Sequence, residues 1–449
     1  GAPLVADDTT ITAFVSGTNG GPGVYTVSGP PQAVASAPMA GNTREPVSTL
    51  ITAAPWNGVG FEIGGPNKPN VLRGEGQTVY GSYTQTADQA AAGTQQLNLA
   101  QAIVDECAGG GCVISLAAAA ANGNQNNQTL VVNYTGGTAD SITQNYSNWW
   151  MPVYISSTSS GGAIGPASFK YSSYAVNSTT PVIGMMSYPG EWIIASQSSL
   201  NNSSGAADST TIYLYGYSYW IPVGSTPQSI TLPADQNVGV LSIAATRPTM
   251  VDLSSVYNAF GITTAPWQVA NHQGFDDKGQ YYNASNLDLG WAKGKGSVDS
   301  TIYMTWAGVA FELQNMVTEA SQVGGKDGPS NVVQAAGQTI DITAGDYANL
   351  FVIGASNDGS QTANITVNFT DGTSATWTQT FSDWEVTPST FPTGEVLVNA
   401  GTQILQDGNE SGNTANVYGY SYAIPDGKTV KSVQLPNNKA VGILGISLL

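Results

Sequence analysis

One long stretch is written twice in this chain. Residues 214–244 read LYGYSYWIPVGSTPQSITLPADQNVGVLSIA, and residues 417–447 read VYGYSYAIPDGKTVKSVQLPNNKAVGILGIS. Each sets YGYSY before an Ile-Pro turn, then an alternating strand, a Leu-Pro stop and a final apolar strand. Two copies about 200 residues apart imply duplicated domains. Alternation along the strand puts Tyr215, Tyr217 and Tyr219 on one face, in phase with Tyr418, Tyr420 and Tyr422, and leaves Gly216 and Ser218 on the other. A Gly/Ser face lets another layer approach closely, so the segment reads as a domain-closing strand.

Further matches fall in the same order in both copies. Trp56, Gly58, Phe61 and Glu62 align with Trp306, Gly308, Phe311 and Glu312, and GQT occurs at Gly76 and again at Gly337. LVVNYTGGT (130–138) matches ITVNFTDGT (365–373), and TQNYSNW (143–149) matches TQTFSDW (378–384), which is one β-hairpin repeated with its turn. Short strands, Gly/Asn turns and the lack of heptads predict an all-β chain of two tandem antiparallel β-sandwiches of the jelly-roll kind. The expected organisation is an N-terminal strand and linker segment (1–46), a first sandwich (47–246) and a second (250–449). The copies differ most at residues 80–105, where Leu97–Val104 reads as a short helix or a strand, and at residues 150–208. Such loops are where binding usually sits. The N-terminal segment, with strand pieces at 11–15 and 24–27, completes its own sheet or adds a strand to a neighbour.

Composition narrows the partners. The chain carries 30 carboxylates and 12 Lys/Arg, a formal charge of −18, so no basic patch for nucleic acid can assemble. Charged residues are only 9% of the 449, far below the roughly 25% of an average domain. Full protonation of the carboxylates would leave only about +13, so self-repulsion in acid is modest, which suits an acidic working environment as well as it suits an ordinary acidic secreted protein. No apolar run reaches the roughly 18 residues of a membrane span. The chain opens at Gly1-Ala2-Pro3 without Met, as after removal of a leader. Cys107 and Cys112 enclose AGGG, a spacing open to a small disulfide loop in an oxidising compartment or to reduced thiols. Asn-x-Ser/Thr acceptors stand at Asn127, Asn133, Asn145, Asn177, Asn201, Asn202, Asn283, Asn364, Asn368 and Asn409.

The second copy resembles an accessory module of secreted bacterial and fungal proteins, often attached to glycoside hydrolases. The resemblance runs through Leu253-Ser254, Gly261-Ile262, Asp277-Lys278-Gly279, Thr305-Trp306, Phe369-Thr370-Asp371-Gly372-Thr373, Ser382-Asp383-Trp384, Tyr418-Gly419-Tyr420 and Leu435-Pro436-Asn437-Asn438. It covers residues 251–449 well and 54–245 more loosely, with Gly136 and Asn148 where the module tends to have Asp. The resemblance implies galactose-binding-type, carbohydrate-binding-module-like sandwiches that are accessory and not catalytic.

Candidate chemistry is sparse. His272 is the sole histidine, which removes two-His metal sites and most His-based mechanisms. Carbohydrate hydrolysis needs two carboxylates, and Glu191 with Asp208 or Glu106 is the enzymatic candidate. Asp276, Asp277 and Asp288 could supply oxygen ligands to a structural calcium, or form an acidic turn; no other cofactor is expected. Trp150, Trp192 and Trp220, which do not recur between copies, are the candidates for stacking on sugar rings. The leading expectation is a secreted, non-catalytic glycoprotein at a cell surface or in an extracellular matrix. Its partners would be polysaccharide or cell-surface glycan, or its own copies in a filament or sheath joined through the N-terminal strand. The alternative is an acid-active glycoside hydrolase or other polysaccharide-degrading enzyme.

Overall fold

The computed structural model describes residues 11–17, 23–27, 69–73, 78–80, 96–150, 186–188, 190–197, 200–201, 207–208, 211–263, 274–276, 278–287, 301–314, 330–388, 391–405 and 409–449. The chain divides into two compact units, 1–45 and 46–449. In the first, Ile11–Gly17 (β1) and Gly23–Val27 (β2) pair antiparallel.

The second unit is all-β and holds both copies as antiparallel sandwiches. The first large sheet is ordered Thr78–Tyr80 (β4), Pro69–Arg73 (β3), Val238–Thr246 (β15), Cys112–Ala120 (β6), Ile212–Ile221 (β13), Glu191–Gln197 (β10) and Met186–Tyr188 (β9). Its small partner sheet is Gln96–Asn98 (β5), Pro227–Thr231 (β14), Gln125–Tyr134 (β7) and Ala139–Tyr146 (β8). The second large sheet is Thr249–Met250 (β16), Asn437–Leu448 (β29), Asn349–Ser356 (β23), Glu410–Ala423 (β27), Glu395–Leu405 (β26), Gln280–Asn283 (β18) and Ile262–Thr263 (β17), with Val333–Ala336 (β21) also on β29. Its small partner is Thr339–Asp346 (β22), Thr429–Gln434 (β28), Gln361–Phe369 (β24) and Ser374–Phe381 (β25). The order β15-β6-β13-β10 therefore recurs as β29-β23-β27-β26, and β5-β14-β7-β8 as β22-β28-β24-β25. Two hairpins stand outside these sheets: Leu200–Asn201 (β11) with Ala207–Asp208 (β12), and Thr301–Trp306 (β19) with Val309–Gln314 (β20). Helix is confined, among the described residues, to Gln101–Glu106 (α1) and Ala284–Leu287 (α2). The segment around Leu97–Val104 splits, closing β5 and then opening α1.

The two faces of the YGYSY strands explain how the layers stack. Tyr215, Tyr217 and Tyr219 point into the first sandwich with Leu116, Val132 and Ile230, while Tyr418, Tyr420 and Tyr422 point into the second with Ile365, Val367 and Val433. Both strands lie inside their sheets, not at the edge that a closing strand would occupy. Their Gly/Ser faces look the other way, and the β19–β20 hairpin packs against both. On one side of the hairpin, Ser218 Oγ accepts Gly308 N (3.0 Å) and Ser218 O accepts Thr305 Oγ1 (2.7 Å). The rings of Trp220 and Tyr303 stack at 5.1 Å, and Thr246 Oγ1 donates to Gly308 O. On the other side Ile302, Met304, Trp306, Val309, Phe311 and Leu313 enter the second sandwich's core. Trp306 meets Phe351 edge-on at 5.8 Å.

The two sandwiches consequently share one interior. Ala117, Trp192, Ile194 and Ala244 of the first belong to the same hydrophobic cluster as the core of the second. The connection between them is structured, because β16 pairs with β29 and Val251 N donates to Ile446 O (3.0 Å).

Gly419 shows how tight the stacking is. A Cβ there would lie 2.4 Å from Val398 Cγ2 and 2.7 Å from two ring carbons of Trp306. Overpacking of this kind costs about 1–3 kcal/mol, so Gly419→Ala should lower the unfolding free energy by that amount, read as a lower urea midpoint at unchanged m-value. Trp306→Ala should cost roughly 3–5 kcal/mol. Unchanged unfolding of Gly419→Ala would show that the indole does not rest on that glycine.

Candidate functional site

Glu191 and Glu395 turn out to be one position in two copies. Each opens a strand directly after a glycine and ahead of an apolar run, each is buried (0% and 4% exposed), and each faces the middle tyrosine of YGYSY. Glu191 Oε2 accepts Tyr217 OH and Ser147 N (2.8 Å). Glu395 Oε2 accepts Tyr420 OH (2.7 Å) and Ser382 N (2.9 Å), and its Oε1 accepts Ser382 Oγ (2.6 Å). Ser147 and Ser382 directly follow β8 and β25, so each carboxylate ties the end of a small sheet to the strands of its large sheet. Neighbouring ties repeat as well: Tyr215 OH donates to Asn148 O (2.9 Å) and Tyr418 OH to Asp383 O (3.1 Å).

Burial, followed by the facing carboxylate, holds the Tyr217 and Tyr420 hydroxyls well above their ordinary range, so both stay donors. Burial also raises Glu395 above its ordinary value near 4.5, against the lowering pull of Ser382 and Tyr420. Glu312 and Asp276 are raised too, again chiefly by burial. A carboxylate whose folded value is raised favours the folded state fully below the unfolded value, and that contribution fades as pH rises through the folded value.

The outward faces of the small sheets have a different chemistry. Register pairs Thr362 with Thr380, Asn364 with Thr378, Thr366 with Thr376 and Asn368 with Ser374 across β24 and β25. Three of these pairs are hydrogen-bonded through their side chains, at 2.9, 2.8 and 2.8 Å, and Asn368 Nδ2 donates to Ser432 Oγ at 3.1 Å. None of the eight side chains is ionisable. The first copy repeats this chemistry around a buried serine: Gln96 Nε2 donates to Ser229 Oγ (2.6 Å), and Asn133 Nδ2 reaches Ser229 Oγ (3.2 Å) and Thr231 Oγ1 (3.0 Å). The β24–β25 part of the second sheet thus presents an uncharged ladder of hydroxyls and amides, with Asp341 of β22 in register beyond Ser432 at the far edge. Sequence alternation carries this signal in the Thr and Asn positions of residues 362–368 and 374–380.

Several expected site residues are corrected by their positions. Glu191 is enclosed and bonded within the protein, so it cannot act on a polymer from solution. Glu106 is exposed at the end of α1, and Asp208 lies in β12, its side chain outside those described. Trp192 is fully buried in the shared core, and Trp220 (3% exposed) is covered by Tyr303. Both stand on the face of β10 and β13 that the hairpin covers, so neither offers a ring to sugar. Trp150, half exposed at 50%, does lie at the surface, just beyond β8. Asp276 is buried, with Oδ1 accepting Lys278 N (2.9 Å) and Gln280 N (3.2 Å), as in an acidic turn. Asp277, Asp288, Glu62 and His272 lie outside the described residues. Among the described residues no three His, Cys, Asp or Glu side chains gather as metal ligands.

Cys107 and Cys112 are joined by a disulfide. Arg247 grips that loop, donating to Gly110 O (2.9 Å), Ala108 O (3.2 Å) and Glu106 O. Of the glycan acceptors, Asn127, Asn364 and Asn409 are exposed, and Asn133 and Asn368 are half-buried. Asn145 and Asn283 are buried and engaged, the first accepting Asn127 N (2.8 Å), the second donating to Glu410 Oε1 (2.8 Å); neither can carry a glycan in this fold. Asn177 and Asn202, and the side chain of Asn201, lie outside the described residues. Among the described residues no helix is long and apolar enough to cross a membrane.

The raised Glu395 makes a directional test. Replacing it by Gln removes the titration but keeps the shape, so the wild-type fall in Tm between pH 4 and pH 7 should shrink in Glu395→Gln. An identical pH profile in the two proteins would remove Glu395 as a source of that dependence.

Among curated proteins none matches the chain. The tandem CBM22-1–CBM22-2 domain from the N-terminus of Paenibacillus barcinonensis Xyn10C is similar at 8% identity, over 85% of this chain and 92% of its own, with a TM-score of 0.16. At that score the likeness carries no argument about fold or ligand. Residues 304–449, which begin within β19 and run to the C-terminus, match the AziU2-like beta-sandwich domain family.

Proposed function

We propose that this chain is a secreted, non-catalytic protein of the extracellular space that binds neutral polysaccharide on the outward faces of its two small sheets. The observation that carries the reading is the ladder of paired Thr, Asn and Ser side chains on β24 and β25, free of charge and repeated in kind on β7 and β14. Hydroxyls and amides in a flat array both donate and accept, which matches the hydroxyls of a sugar chain, whereas a chain of net charge −18 has nothing to draw an anionic polymer. Trp150 adds an exposed ring beyond the end of β8, suited to stacking on a sugar face.

The disulfide supports an oxidising compartment, and the exposed acceptors Asn127 and Asn409, which lie off the β24–β25 ladder, are compatible with a glycoprotein. The carboxylates raised by burial favour the fold in acid, in keeping with the acidic environment read from composition. The competing reading, a polysaccharide-degrading enzyme, loses its central group because Glu191 is enclosed. A structural calcium and strand donation by residues 1–46 remain open proposals, for which metal-dependent melting and truncation of the segment are the direct measurements.

Electrophoresis in gels containing neutral glucans, mannans or galactans should retard the protein, and gels containing polyuronate should not. Thr366→Val with Thr376→Val should abolish retardation by the second sheet while leaving Tm within a few degrees. Trp150→Ala should weaken retardation by the first. Free migration of wild type through every neutral polymer would defeat the proposal.

A further inference from the structure

The edges of the second small sheet are unlike each other. On one side lies β22, which carries Asp341 and Asp346 and loses register with β28 between Asp341 and Gly345. Charge and irregularity of this kind are how natural sheets keep other strands away. On the other side lies β25, SATWTQTF, with no charge, no proline and eight consecutive partners on β24 without a register shift. Among the described residues nothing pairs with its outer side. Its C-terminal end is occupied, because Phe381 O accepts Ser356 Oγ (2.8 Å) and Thr380 O accepts Gln379 Nε2 (2.9 Å). The open part is therefore Ser374–Thr378, where Ser374, Thr376 and Thr378 are exposed.

We infer that β25 pairs edge to edge, antiparallel, with β25 of a second copy of this chain. Two copies at −18 each repel over most of their surface, and this edge is a place where they can meet without bringing carboxylates together. The nearest charges at its turn, Asp371 and Lys428, are already paired with one another at 2.6 Å. A two-fold contact is self-complementary: with Thr376 at the centre of the open stretch, Thr376 faces its own copy, flanked by Ser374 opposite Thr378. The outer ladders of the two sheets then run on as one neutral face across the junction. This inference does not depend on glycan binding and is tested without polysaccharide.

Sedimentation equilibrium of the full chain should give a dimer for wild type. Thr376→Lys and Thr376→Glu each set like charges opposite one another, so each alone should be monomeric, while an equimolar mixture should recover the dimer. Near-UV circular dichroism and Tm of each variant report whether the fold is intact. Ser141→Lys on β8, the matching edge of the first sandwich, should leave the dimer in place. A monomeric wild type at millimolar concentration, or folded Thr376→Lys and Thr376→Glu variants that remain dimeric alone, would overturn the inference.

Discussion

Everything in the larger unit depends on how closely backbone can approach backbone at the YGYSY strands. A glycine and a serine facing outward from β13 and β27 leave room for a hairpin that would otherwise collide with side chains, and the collision distances at Gly419 measure that room. The hairpin in turn has no polar surface to spare along its middle. One face is aromatic and aliphatic, and the other is hydrogen-bonded to Ser218. Two sandwiches, each with its own tyrosine-lined core, are welded by a layer that belongs by sequence to the second and touches both.

The parts of this arrangement that are local in sequence were readable beforehand. The β7–β8 and β24–β25 hairpins, the tyrosine and glycine faces and the closeness of the two cysteines follow from spacing within about 20 residues, and the repeat follows from laying residues 214–244 against 417–447. What escaped reading was long-range. Glu191 looks like a loop carboxylate beside Pro189-Gly190, and only its bonds to Tyr217 and Ser147, 26 and 44 residues away, make it an internal tie. Trp192 and Trp220 look like surface aromatics because they alternate with core residues. Alternation says that a residue is on the other face, but not whether another layer covers that face.

The surface follows from the same economy of charge. Having few ionisable residues, the chain builds its outer sheets from hydroxyls and amides, and satisfies them partly with one another across strands. Such a surface is hydrated without being repulsive, which distinguishes it from the charged exteriors of most soluble domains. Inside, the few carboxylates that are buried accept from tyrosine and backbone donors, but burial outweighs those bonds at Glu395, so protonation in acid relieves the cost of a buried charge there.

The shared hairpin also bears on how the two copies came to depend on each other. A lone second sandwich would carry Tyr303, Thr305 and Ala310 uncovered, and a lone first sandwich would expose Trp192, Ile194 and the bare strand around Ser218. Either half produced alone would set that apolar face in water. The doubled sequence is joined by a face that each half needs the other to cover.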